Sequence, residues 1–87
     1  MDQSKYKDVV SYIEQYIYSH SGAEISTLSE ETNFVEQGLI NSFETLALIM
    51  DLESQYVVKF QATSLASDSI QTIGGLAKEV LRQNVNN

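Results

Sequence analysis

The sequence predicts an all-α fold, a bundle of three main helices and one short helix, with no strands. Three segments place apolar residues at the period of an α-helix, and short polar segments separate them. With 87 residues, 43% of them hydrophobic and 20% charged, the chain has a globular composition and the length of one domain, residues 1–87.

The first helix is predicted over about residues 4–19, because apolar side chains recur there every three or four positions. They are Tyr6, Val9, Val10, Ile13, Tyr16 and Ile17. The polar stretch SHSG at residues 19–22 ends the pattern. A long connection follows over residues 21–40, and its length predicts an ordered loop packed on the helices. We expect its anchors to be Ile25, Leu28, Phe34 and Val35.

The second helix is predicted to start at Asn41 and to run to Gln55 or Tyr56. Asn is a strong N-cap residue, and Glu44 lies three positions later, which is the spacing of a capping box. Beyond this helix, residues 63–68 are too few for more than one helical turn, which predicts the short helix. A last helix follows Thr72 as its cap, with Ile73, Leu76, Ala77, Val80 and Leu81 on its apolar face.

The second helix carries two apolar faces rather than one. One face comprises Leu48, Ile49, Leu52 and Tyr56, and the other comprises Phe43, Leu46, Ala47 and Met50. Either the helix is buried nearly all round, or one face is exposed. A small domain seldom encloses a helix completely, and exposed apolar patches usually mark interaction sites. We therefore expect the face that starts at Phe43 to contact partner proteins.

The charge distribution narrows the possible partners. The net charge is -7, and no Lys or Arg lies between Asp8 and Val58. Such a surface repels nucleic acids and anionic lipids and attracts basic protein surfaces, although acidic faces also simply keep small proteins dissolved. No apolar run could span a membrane, and the N-terminus has no export signal. We expect a cytoplasmic monomer that binds neither nucleic acid nor membranes.

Metal and catalytic sites have little support in the sequence. The chain has no Cys and one His, His20, and it lacks the spacing of a calcium loop. A serine nucleophile at Ser42 fits poorly, because Ile40 and Glu44 stand where a nucleophile elbow has glycines. Nothing in the sequence brings His20 to Ser42 as a base. Ser42 instead takes the first position of the second helix, where a phosphate ester would face free N–H groups and the positive end of the helix dipole.

The stretch NFVEQGLINSFETLALIMDLESQYVVKF resembles the signature region of acyl carrier proteins and related carrier domains. The pattern G-L-I-N-S matches their G-L-I-D-S motif, and an apolar helix and an L-E-x-x-Y segment follow it as in that family. The order of the helices and the acidic charge fit as well, so the resemblance covers nearly the whole chain.

The resemblance implies an acyl-carrier-protein-like four-helix bundle that is not itself an enzyme. Ser42 would receive a 4'-phosphopantetheine arm from coenzyme A through a phosphopantetheinyl transferase, and the arm would carry acyl or aminoacyl groups between loading and tailoring enzymes. We expect partner contact through Phe43, Leu46, Ala47 and Met50, with Glu44, Asp51 and Glu53 steering the approach.

One departure from the family pattern matters, and one alternative interpretation of the sequence stays open. Asn41 stands where the family most often has Asp, which preserves the helix cap but removes a negative charge where the transferase docks. The alternative is an unmodified module with the carrier fold that binds partners through the apolar face.

Overall fold

The computed structural model describes residues 3–85 and contains four α-helices. They are α1 (Gln3–Ser21), α2 (Ser42–Tyr56), α3 (Ala62–Leu65) and α4 (Ile73–Val85). Two single 3₁₀ turns, Ile25–Thr27 and Asp68–Gln71, lie in the connections. Within residues 3–85 there is no strand, and Asn33 and Thr72 form one isolated antiparallel bridge. The prediction of an all-α fold with three main helices and one short helix is confirmed.

One apolar core joins the three long helices. It contains four residues of α1 (Val9, Val10, Ile13, Ile17), three of α2 (Leu48, Ile49, Leu52) and four of α4 (Ile73, Leu76, Ala77, Val80). The radius of gyration is 12.0 Å, about the value of a compact globule of this length. No helix within the described residues is both long and apolar enough to cross a membrane.

Two tyrosines of α1 form hydrogen bonds to α2, and the two helices run antiparallel. The Tyr16 hydroxyl donates to the Glu44 carbonyl oxygen at 2.9 Å, and the Tyr12 hydroxyl donates to Asp51 Oδ2 at 2.6 Å. Residue numbers thus rise along α1 as they fall along α2. The ring of Tyr12 also packs edge-on against Tyr56, with centroids 5.9 Å apart. The hydrogen bond to Asp51, together with burial, raises the pKa of Tyr12 to about 12.

The long connection between α1 and α2 is ordered through backbone contacts with the segment that precedes α4. Phe34 N–H donates to the Gln71 carbonyl at 3.1 Å, and Ile73 N–H donates to the Thr32 carbonyl at 3.1 Å. Leu28 and Phe34 are buried, as predicted for anchors. Val35 is 40% exposed, so its prediction as an anchor was wrong.

A tight turn explains the outward position of Val35. Gly38 N–H bonds to the Val35 carbonyl and Leu39 N–H bonds to the Phe34 carbonyl, both at 3.0 Å, which is the hydrogen-bond pattern of a Schellman motif. Gly38 has φ +67° and occupies the left-handed position that this motif requires. The motif turns Phe34 into the core and leaves its neighbour Val35 on the surface.

The C-terminal end of α2 uses the same left-handed backbone conformation with a residue that disfavours it. Val58 N–H bonds to the Glu53 carbonyl at 3.1 Å, and Val57, with φ 54° and ψ 55°, takes the left-handed position after α2. A β-branched residue is strained there, and Val57 is 77% exposed, so burial offsets little of the cost.

The start of α4 depends on close backbone packing. Gly75 N–H donates to Thr72 Oγ1 at 3.0 Å, which places Thr72 as the predicted cap. A Cβ atom at Gly75 would overlap the Ser69 carbonyl oxygen, so only glycine lets the 3₁₀ turn approach the helix. Gly75 therefore has a packing role at a position where glycine is otherwise a weak helix former.

We predict that Val57→Gly stabilises the protein by about 1 kcal/mol, because relief of left-handed strain exceeds the added entropy of the unfolded chain. The melting temperature should rise by about 4–8 °C. Gly38→Ala is the matched control and should lower stability by a similar amount, since open space surrounds Gly38 and only backbone strain changes. A Val57→Gly variant that melts below the parent protein would show that Val57 makes a stabilising contact.

Candidate functional site

Ser42 is the first residue of α2, and the residue before it caps the helix. Asn41 Oδ1 accepts the Glu44 N–H at 2.7 Å, and Glu44 Oε1 accepts the Asn41 N–H at 2.9 Å. These two bonds form the predicted capping box. Because Asn41 provides the cap, Ser42 is left exposed to solvent at the N-terminal end of α2.

The N-terminal end of α2 favours a negatively charged group. In an α-helix the first N–H groups have no intrahelical acceptor, and the helix dipole places partial positive charge at this end. The capping box uses the Glu44 N–H, which leaves those of Ser42 and Phe43 as the donors without an intrahelical acceptor. A phosphate ester on the Ser42 hydroxyl would lie close to these donors.

Ser42 also borders an open cleft of about 280 Å³ between α2 and the segment that contains α3. Its walls are mostly apolar, with Val35, Leu46, Ile49, Leu65 and Ile70 in contact with the space; Thr45, Ser67 and Gln71 are polar. The sequence did not reveal Val35 and Leu65 as part of this cleft. Leu65, which is 42% exposed, follows Ser64 in a one-turn helix whose pattern does not indicate which side is buried.

The two apolar faces of α2 have different environments. Leu48, Ile49 and Leu52 are buried, whereas Phe43 is 80%, Leu46 51% and Met50 60% exposed. Ala47 is half-buried. The face that begins beside Ser42 is thus open to solvent, and of the two arrangements that the sequence allowed, the one with an exposed face is correct.

The three carboxylates predicted to steer partners each also support the fold. Glu44 closes the capping box, and Asp51 accepts the Tyr12 hydroxyl. Glu53 Oε2 accepts the Phe60 N–H at 2.9 Å, which holds the chain as it leaves α2. Substitution of any of the three would therefore change stability as well as surface charge.

His20 packs against Tyr16, and the acidic residues form no metal-holding group in the part of the chain that the structure describes. The His20 ring stacks on Tyr16 with centroids 4.0 Å apart, and its Nδ1 lies 2.9 Å from the Tyr16 carbonyl oxygen. Among residues 3–85, no three His, Asp or Glu side chains are grouped so that they could hold a metal ion.

No protein-family model matches the chain, and no solved structure matches it. The resemblance to carrier proteins therefore rests on the G-L-I-N-S motif and the order of the helices, and it stays a prediction.

We predict that Asn41→Ala and Ser42→Ala affect stability differently. Loss of the Asn41 cap should lower the free energy of unfolding by about 0.5–2 kcal/mol. Ser42 is exposed and does not cap the helix, so Ser42→Ala should stay within about 0.5 kcal/mol of the parent protein. Urea unfolding of both variants measures the difference. Equal losses would show that the Ser42 hydroxyl also supports the helix start.

Proposed function

We propose that the protein is a carrier whose Ser42 bears a 4'-phosphopantetheine arm that transports acyl or aminoacyl groups between biosynthetic enzymes. The observation that carries this proposal is the position of Ser42, which is exposed at the N-terminal end of α2 and borders an open apolar cleft. The motif G-L-I-N-S around Ser42 adds the family resemblance.

The residues around Ser42 fit such an arm. A phosphodiester on the Ser42 oxygen would accept hydrogen bonds from the first N–H groups of α2. The adjoining cleft of about 280 Å³ offers apolar walls to the chain of the arm or to its cargo. When attached, the arm supplies a terminal thiol for thioester formation, which the chain cannot supply because it contains no Cys.

Partner enzymes would bind along the exposed face of α2. Phe43, Leu46 and Met50 provide apolar area that is adjacent to Ser42, so a bound enzyme could reach the attachment site. The acidic charge of the surrounding segment favours partners with basic surfaces and mainly speeds their encounter. The phosphopantetheinyl transferase would be the first such partner, and loading and tailoring enzymes would follow.

We predict that incubation with coenzyme A, Mg²⁺ and a broad-specificity phosphopantetheinyl transferase adds one phosphopantetheine group to the protein. Intact-mass spectrometry measures the addition. Ser42→Ala should abolish it, whereas Ser67→Ala, which removes another hydroxyl of the same cleft, should not. A parent protein that stays unmodified under these conditions would favour the alternative of an unmodified interaction module.

We predict that one alanine substitution on each face of α2 distinguishes the buried face from the exposed face. Leu52→Ala should lower the free energy of unfolding by about 2–5 kcal/mol, because Leu52 is fully buried. Met50→Ala should change stability by less than about 0.5 kcal/mol. It should nevertheless slow modification of Ser42, since Met50 lies on the proposed contact face.

Thermal unfolding and transferase kinetics on both variants make the comparison. If Met50→Ala unfolds the protein as severely as Leu52→Ala, the proposed contact face belongs to the core. Unchanged kinetics in Met50→Ala would remove Met50 from the contact face.

A further inference from the structure

The short helix α3 is attached to the bundle in an unusual way. Its buried residue is Ser64, whereas Leu65, its large apolar residue, is 42% exposed and faces the Ser42 cleft. Helices normally attach through apolar side chains, because burial of apolar area is the main source of stability. In α3 a hydroxyl takes that place.

The Ser64 hydroxyl is bonded to a carboxylate on α4. Ser64 Oγ donates to Glu79 Oε2 at 2.7 Å. Arg82 donates to both oxygens of Glu79, at 3.1 and 2.7 Å, and Gln83 Nε2 donates to Oε2 at 2.8 Å. Arg82 Nη2 also donates a longer hydrogen bond, of 3.4 Å, to Ser64 Oγ. The hydrogen bonds from Arg82 lower the pKa of Glu79 to about 2 despite its partial burial, so the carboxylate is charged at neutral pH and is a strong acceptor.

We propose that the Ser64 side chain, through its hydrogen bond to Glu79, is the contact that positions α3 and, with it, the Leu65 wall of the Ser42 cleft. Ser64 and Glu79 are thus positioning residues that act on the cleft through Leu65. With the bond formed, Leu65 stays at the side of the cleft. Without it, α3 has no other buried side chain to hold it, and the wall is free to shift.

The consequence for function rests on the proposed carrier role, whereas the positioning of α3 by Ser64 does not. If the cleft receives the arm or its cargo, movement of Leu65 would change how much of the cleft is open.

Amide–water exchange measured by NMR on the unmodified protein tests the proposal. The reporters are the Leu65 and Ala66 N–H groups, which bond to the Gln61 and Ala62 carbonyls at 3.0 and 3.1 Å. Ser64→Ala and Glu79→Ala should each raise exchange at these two amides by about 10- to 100-fold, the effect of losing a hydrogen bond to a charged group. Their double variant should add little, because both remove the same bond.

Two control variants make the test specific. Thr63→Ala removes an exposed hydroxyl from the same helix, and Gln83→Ala removes a donor to Glu79 but keeps the Ser64–Glu79 bond. Both should stay within about twofold of the parent exchange rates. The methyl resonances of Leu46 and Ile49, which border the cleft, should shift in Ser64→Ala and not in Thr63→Ala.

Two results would overturn the proposal. Exchange in Ser64→Ala that equals exchange in Thr63→Ala would show that the hydroxyl does not position α3. Equal acceleration of core amides, such as those of Ile13 and Leu52, would show that the bond supports the whole fold and not one wall. Failure of Ser42 to accept an arm would contradict the proposed function and leave these measurements unaffected.

Discussion

The reciprocal hydrogen bonds between Asn41 and Glu44 fix the residue at which α2 begins, and the character of the Ser42 site follows from that position. With Asn41 as cap, Ser42 becomes the first helical residue, and its hydroxyl is not required to satisfy the helix end. If Ser42 were the cap, its oxygen would be occupied by a backbone N–H. Capping does not set the rotation of the helix; burial of Leu48 and Leu52 does that, and it leaves Phe43 and Met50 facing solvent.

The acidic residues of this surface combine structural and electrostatic roles. Tyr12 and Tyr16 of α1 bond to Asp51 and to the Glu44 carbonyl, so the contacts that hold α2 in place end at residues of its acidic face. The carboxylates still contribute negative charge to the surface, because accepting a hydrogen bond does not neutralise them. Removal of the Asp51 charge to test electrostatic steering would thus also alter the α1–α2 contact, whereas truncation of exposed apolar side chains leaves that contact intact.

The features that the sequence predicted correctly depend on residues close together in the chain or on a repeated period. Asn41 and Glu44 lie three positions apart, and the core faces of the long helices repeat every three to four residues. Val35 was misplaced because a turn centred on Gly38, and not a periodic pattern, decides its direction. The left-handed Val57 could not be expected from a residue that disfavours that conformation. The bond from Ser64 to Glu79 joins residues 15 positions apart that meet only in the folded bundle.

The central claim is that Ser42 carries a phosphopantetheine group in the cells that make this protein, and a protease that cleaves after glutamate allows a direct measurement. Cleavage after Glu36 and Glu44 releases the peptide QGLINSFE, in which Ser42 is the only hydroxyl-bearing residue. Mass spectrometry of this peptide, from protein purified from its natural source, should show the added mass of one phosphopantetheine group. A peptide found only in its unmodified form would contradict the claim.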